Sequence, residues 1–346
     1  MGLFRRRVNR VADPRPAITQ FWSWWAGHRG DVVKAVDEHR IDDALRMLQE
    51  PVTTIDARLN WEITGGRDKK FGLVVSGAGE LDLRSVAERW VLAAPDDPEV
   101  EFISSRRRDP EFLASGVQKV DDYDFAMSEL VAGVRADASA GKVHVVVHHP
   151  LFTLIDHDHR LHVAFLGLDA ALGEEGVQRW IGSIEVSVDL PIDAIQLGSL
   201  YDVVEQLRAP GGGEWAAMEG RGPRGPVFAI VRRAASRYTH PLVDTHVAVV
   251  LGYDAEGNGM PADTSISAEV EELESTIMAA FGGDGPHAVH VGHITGGGHV
   301  VAHFYVDGLE VQPEVARPLL DTWSRGKATL ATAHDPGWEH VAAFMG

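Results

Sequence analysis

Seventeen histidines and no cysteine set the range of chemistry open to this 346-residue chain. Imidazole nitrogens hold zinc and similar ions when three or four donors converge on one point. Two histidine groups are dense enough to consider. The first comprises His148, His149, His157, His159 and His162. On one helix His157 and His159 are separated by about 200°, and His157 and His162 by about 140°. They do not project to one point, and the His-Glu-x-x-His pattern is absent. The second comprises His287, His290, His293, His299 and His303. Along a strand His299 and His303 share a face, while His290 and His293 point oppositely. Across a hairpin, His293 would neighbour one of the later histidines. His157, His159, His162, His293, His299 and His303 are therefore the metal candidates. The expected role of both groups is nevertheless structural or surface, so no metal and no other cofactor is assigned.

Other chemistries fail on composition or context. Without cysteine there is no disulfide scaffold, no thiolate metal site and no cysteine nucleophile. Gly296-Gly297-Gly298 has strand-like residues on both sides and no lysine after it, which suits a hairpin and not a phosphate loop. Gly77-Ala78-Gly79 lacks the third glycine of a dinucleotide fingerprint. Asp121, Asp122 and Asp124 lack the glycine and closing glutamate of a calcium loop. No Gly-x-Ser-x-Gly elbow is present. Glu269, Glu271, Glu272 and Glu274 are placed on the solvent face of a helix, opposite Val270 and Leu273. No catalytic residue is assigned, and the balance leans away from an enzyme.

The formal charge of -19 argues against direct nucleic-acid binding, which needs surplus Lys and Arg against phosphates. Phe21, Trp22, Trp24 and Trp25 crowd one helix and cannot all face one core. Trp22, Trp24 and Trp25 are the candidate contacts for a protein partner, since Trp anchors are enriched at interfaces. The start, with Arg5-Arg6-Arg7, has no apolar stretch after it, and no apolar run reaches the ~20 residues of a bilayer span. A cytoplasmic protein without membrane contact is expected.

These residues need elements to hold them. A disordered basic tail over 1–16 precedes an N-terminal α+β domain, 17–208. The Gly/Pro-rich stretch 209–226 reads as a linker, and 227–346 as a second domain. The charge divides as -10 and -9 on the two sides of position 209. Within the first domain a helix carries Phe21, Trp25, His28, Val32 and Val36. A second helix starts near Ile41, and Pro51 is expected to break it or to start a new turn. Leu59 to Thr64 and Phe71 to Ser76 form a hairpin, Asp82 caps a helix, and Val100 to Ser105 is a strand. Leu130 to Ala136 and Lys142 to His148 form another hairpin, followed by a helix over 157–172 and a strand over 181–188. This order suggests a duplicated hairpin-helix-strand unit. In the second domain the order β-α-β-β-α-β predicts a ferredoxin-like antiparallel sheet with helices on one face.

About residues 213–345 resemble the bacterial domain-of-unknown-function family numbered 695. The resemblance is carried by Trp215, Gly257-Asn258-Gly259-Met260-Pro261, the acidic helix, Val291-Gly292-His293-Ile294-Thr295, Phe304-Tyr305 and Asp335-Pro336-Gly337-Trp338. The N-terminal part looks like the uncharacterised region that accompanies such domains. The Asp-Pro-Gly-Trp ending also resembles protein inhibitors of ribonuclease E. The resulting expectation is a non-catalytic interaction or regulatory module with an unidentified protein partner. The alternatives are an acidic inhibitor of a basic nucleic-acid-processing enzyme and a His-dependent metal-binding enzyme.

Overall fold

The computed structural model describes residues 12–137, 141–207 and 214–345. Most of the expected basic tail, the turn 138–140 and the first part of the Gly/Pro-rich stretch lie outside them. The chain is α+β. It runs through helices α1 (Arg15–Asp37) and α2 (Ile41–Ile55), strands β1 (Asn60–Gly65) and β2 (Phe71–Ser76), α3 (Arg84–Leu92), β3 (Val100–Ile103), α4 (Pro110–Ser115), β4 (Val117–Val120), β5 (Tyr123–Ala126), β6 (Val131–Asp137) and β7 (Lys142–His148). Next come α5 (His157–Leu172), α6 (Glu174–Trp180), β8 (Ile181–Ser187), β9 (Ile195–Gln196) and α7 (Leu200–Leu207). The last part holds β10 (Trp215–Gly222), β11 (Gly225–Arg232), β12 (Thr245–Gly252), α8 (Ile266–Ala280), β13 (Ala288–Gly296), β14 (His299–Val306), β15 (Ala328–His334) and α9 (Ala342–Met345).

The residues pack as two compact units interleaved in sequence. One takes the described residues up to Leu59, Glu80–Asp96 and 214–345; the other takes Asn60–Gly79 and the described residues of 97–207. This differs from the expected split at 209–226. The reason is tertiary: α3 is claimed by the first unit. Its Trp90 stacks on Trp22 with centroids 5.0 Å apart, and its buried Arg89 pairs with Asp307.

In the first unit a six-stranded antiparallel sheet has the order β10-β11-β13-β14-β12-β15. Val247, Val249 and Leu251 of β12 and Val300, Ala302, Phe304 and Val306 of β14 alternate onto one face. Against that face α8 lays Ile266, Val270, Leu273 and Ile277, a helical stripe of i, i+4, i+7 and i+11. Ala316 and Leu320 of the 3-10 segment Pro313–Thr322 complete this core. Pro318 inside that segment withholds the N–H that an α-helical turn would need there. A smaller cluster, including Val289, Val291, Tyr305 and Trp338, covers the other face.

Three further local expectations change. Pro51 does not end α2, which continues to Ile55. Asp82 does not cap α3; its carboxylate pairs with Arg58 at 2.8 Å. Trp215–Gly222 is the strand β10, paired with β11 from Trp215↔Arg232 to Gly222↔Gly225. Gly222, Pro223, Gly225 and Pro226 flank or form the tight turn between those two strands, where Gly225 has φ 129°.

The second unit has three small sheets. In one, β2 pairs antiparallel with β1 and parallel with β3; in another, of order β8-β7-β6-β9, β7 pairs antiparallel with β6 and parallel with β8. The two-stranded β4-β5 sheet is the third. Val143, Val145 and Val147 of β7 pack with Phe125, Phe152, Val163 and Leu168. Asp156 accepts from the His159 N–H at 2.9 Å to cap α5, and Gly173, with φ 76°, ends it. Arg106 grips both carboxylate oxygens of Glu62 at 2.7 Å and reaches Asp169 at 2.7 Å. Among the described residues, no helix is long and apolar enough to cross a membrane.

Candidate metal centre

One face of β13 and one stripe of α8 bring two imidazoles and a carboxylate together. On α8, Glu274 lies four residues after Val270 and four before Met278, so it belongs to the buried stripe. It is only 5% exposed. This corrects its expected place on the solvent face; only its neighbours in the acidic run, Glu271 and Glu272, are exposed. The i±4 relation to two apolar residues is the signal that would have found it.

On β13, His290 faces α8, and strict alternation would turn His293 to the opposite face. The strand bulges instead. His290 opposes Phe304, whereas Gly292, not Val291, opposes His303, so one residue is extra. The slip returns His293 to the α8 side, opposite Ala302 of the core. The expectation that His290 and His293 point oppositely is therefore overturned. Gly292 makes the bulge possible. Its φ is 145°, and a Cβ there would stand 2.1 Å from the Ile230 carbonyl oxygen of β11.

His293 Nδ1 lies 2.8 Å from Glu274 Oε1, and His290 Nε2 lies 3.6 Å from the same oxygen. One donor atom from each of the three residues lies within 4.8 Å of the others, and this is the one such group of three or more among the described residues. The His290 ring is held by Phe304 on one side, with centroids 4.7 Å apart, and by Trp215 at 5.4 Å. Its Nε2 is buried and has no hydrogen-bond partner. Burial pushes the Glu274 carboxyl up, but the His293 hydrogen bond and the adjacent His290 imidazole outweigh it and hold the group below the usual carboxylate range. A cavity of about 340 Å³ opens beside the three, lined further by Trp215, Ile230, Glu271, Ser275 and Met278.

Of the six histidines singled out in the sequence, His293 alone belongs to this group. His157, His159 and His162 lie on α5 in the other unit, where His159 pairs with Asp156 at 3.0 Å. His299 sits at the β13–β14 turn, its Nδ1 3.2 Å from the Gly297 carbonyl. His303 belongs to a second polar network. Its Nδ1 is 3.0 Å from His246 Nε2, and the His246 ring stacks on His340 at 4.6 Å. His340 Nδ1 is 2.9 Å from Asp335, which also accepts the Tyr305 hydroxyl at 2.5 Å. Trp338 lies flat on Tyr305 at 4.2 Å. The Asp-Pro-Gly-Trp segment thus closes the chain onto the sheet: Asp335 takes the backbone N–H groups of Glu339 and His340, and Trp338 fills the space below. Burial drives His246 down to about 3 and His303 down to about 4, so both are neutral at pH 7.

The aromatic residues of α1 divide between roles. Trp25, 1% exposed, is core. Trp22 is engaged with α3, its indole N–H donating to the Trp90 carbonyl at 3.1 Å. Trp24 is half-buried and stacked on His28 at 4.8 Å.

No family model matches this chain, and it matches no curated protein and no solved structure. The reading of its function therefore rests on the geometry.

Proposed function

We propose that the protein binds a divalent transition-metal ion, zinc being the best fit, through Glu274, His290 and His293. The carrying observation is the convergence of two imidazoles and one carboxylate from a packed helix and a bulged strand. Two histidines and a glutamate form a donor set found where zinc keeps an open position for water or substrate. In a tetrahedron with metal–ligand bonds of about 2.0–2.1 Å, neighbouring donors are separated by about 3.3 Å. The separations of 2.8 and 3.6 Å bracket that value. The cavity beside the group leaves room for a fourth ligand. Calorimetric titration of chelator-treated protein with zinc is the test. One equivalent bound by the wild type, and none by H290A or H293A that remain folded, is expected. A folded wild type that takes up no zinc overturns the proposal.

We infer a ferredoxin-like arrangement for β12, α8, β13, β14 and β15. The order β13-β14-β12-β15, with helical connections packed on one face, supports it. A duplicated hairpin-helix-strand unit, β1-β2-α3-β3 and β6-β7-α5-β8, draws support from the same pairing in two sheets, a hairpin with a parallel third strand. Kinship with family 695 rests on the motifs quoted above. The interaction-module reading retains Trp24 as its surface anchor, because Trp22 and Trp25 are spent within the fold. The acid-inhibitor reading retains only the charge of -19.

A further inference from the structure

The cavity beside the three donors has a definite chemical character. Trp215, Ile230 and Met278 give it an apolar wall. Trp215 reaches it from β10 and holds the His290 ring at 5.4 Å. Its one titratable lining residue outside the donors is Glu271, which precedes Glu274 by three positions on α8 and so shares its side of the helix. A divalent ion offset by Glu274 leaves one positive charge, and Glu271 cancels it. The site therefore offers no excess charge to attract a phosphate or a polyanion. An uncharged polar group that can meet a metal, next to an apolar group that can meet an indole, is the matching ligand.

Resting on the metal reading above, the geometry points to an uncharged acyl compound, an ester or an amide carrying an aromatic or bulky aliphatic group, as the substrate class, with Glu271 as proton acceptor in its hydrolysis. The bound ion would supply polarisation of the acyl oxygen or activation of water. The chain supplies the rest. Trp215 and Met278 receive the apolar group and fix the acyl carbon beside the donors. Glu271 takes the proton of the attacking water as the new C–O bond forms. The bond from the acyl carbon to the leaving oxygen or nitrogen then breaks, and Glu271 returns the proton to that leaving atom. Water is consumed and an acid is released with an alcohol or an amine.

The test uses the full chain. Zinc stoichiometry of wild type, W215A and E271Q is measured first. At saturating zinc one equivalent in all three is expected, because neither residue is a donor, with a weaker Kd in W215A because Trp215 holds the His290 ring; failure of the wild type to bind zinc overturns the metal reading itself. Benzohydroxamate and acetohydroxamate are then titrated against the zinc-loaded proteins. The aromatic probe is expected to bind wild type at least about tenfold more tightly, and W215A is expected to lose that preference. Equal affinity of the two probes for wild type overturns the apolar-pocket assignment. Turnover of 4-nitrophenyl benzoate and of the matching 4-nitroanilide separates the ester arm from the amide arm. E271Q is expected to lower kcat by about 100-fold or more while still holding one equivalent of zinc. No turnover of either compound by zinc-loaded wild type, or an unchanged rate in E271Q, overturns the hydrolytic assignment.

Discussion

His293 Nδ1 meets Glu274 Oε1 at 2.8 Å because the strand carrying His293 holds one residue more than its partner. The contact joins two elements, and a backbone irregularity sets it. The bulge at Gly292 is therefore part of the donor geometry as much as the donors are.

Substituting Gly292 by alanine tests this directly. The new Cβ would fall 2.1 Å from the Ile230 carbonyl oxygen, at a φ of 145° that side chains avoid. A loss of about 2–4 kcal/mol in urea unfolding is expected, within the range for forced backbone strain and overpacking. Zinc uptake should fall with it, since His293 can no longer hold its face. An alanine variant as stable as wild type, with full zinc uptake, contradicts the role given to the bulge.

Metal binding should also register as stability. At a free zinc concentration of 100 Kd the folded state gains about 2.7 kcal/mol, provided the unfolded chain does not compete. E274Q keeps the shape of the side chain and removes its charge. It should weaken zinc by more than the about 10–100-fold that losing an outer-shell partner costs, and should abolish the thermal shift. Differential scanning calorimetry with and without zinc reads both.

The Arg89–Asp307 pair is a second site of high stakes. Arg89 is 9% exposed and Asp307 1%. Asp307 also accepts the Leu309 N–H at 2.9 Å and meets His287 Nδ1 at 3.0 Å. R89M leaves a buried carboxylate without its main counter-charge, and a cost of about 3–5 kcal/mol is expected. R89M/D307N should recover part of that loss in the same denaturation experiment.

Acid sensitivity follows from His246 and His303. Burial depresses them to about 3 and about 4, from an ordinary value of 6.5. The unfolded chain therefore binds protons before the folded one does. Their contribution is fully present above pH 6.5 and is lost as pH falls toward the folded values, at about 3–5 kcal/mol each at most. His340, Asp335 and Tyr305 face this pair, and His290 and His293 also act on His303. Unfolding free energy measured from pH 7.5 to 5 should fall more steeply for wild type than for H246N/H303N. Parallel curves rule this assignment out.

Much of the fold was legible because its cores follow regular periods. The stripe of α8, the hairpins and the helix from His157 to Leu172 appear where spacing placed them. Glu274 is legible as buried, since Val270 and Met278 flank it at i±4 even though the run around it is acidic. The convergence of His290 with His293 was not legible. It depends on the approach of Gly292 to Ile230 on another strand, which no local pattern encodes. β10 was hidden by the same glycines and prolines that form its turn. The assignment of α3 was hidden as well, because its decisive partner, Asp307, is 218 positions away.

That distance has a consequence for synthesis. At about 5–20 residues per second, roughly 10–40 s pass between the emergence of Arg89 and that of Asp307 from the ribosome. Through that interval Arg89 lacks its counter-charge, while Trp90 beside it can already meet Phe21 and Trp22. The pairing of α1 with α3 can form early, but the buried ion pair that ties α3 to the last part of the chain is among the latest contacts to be completed.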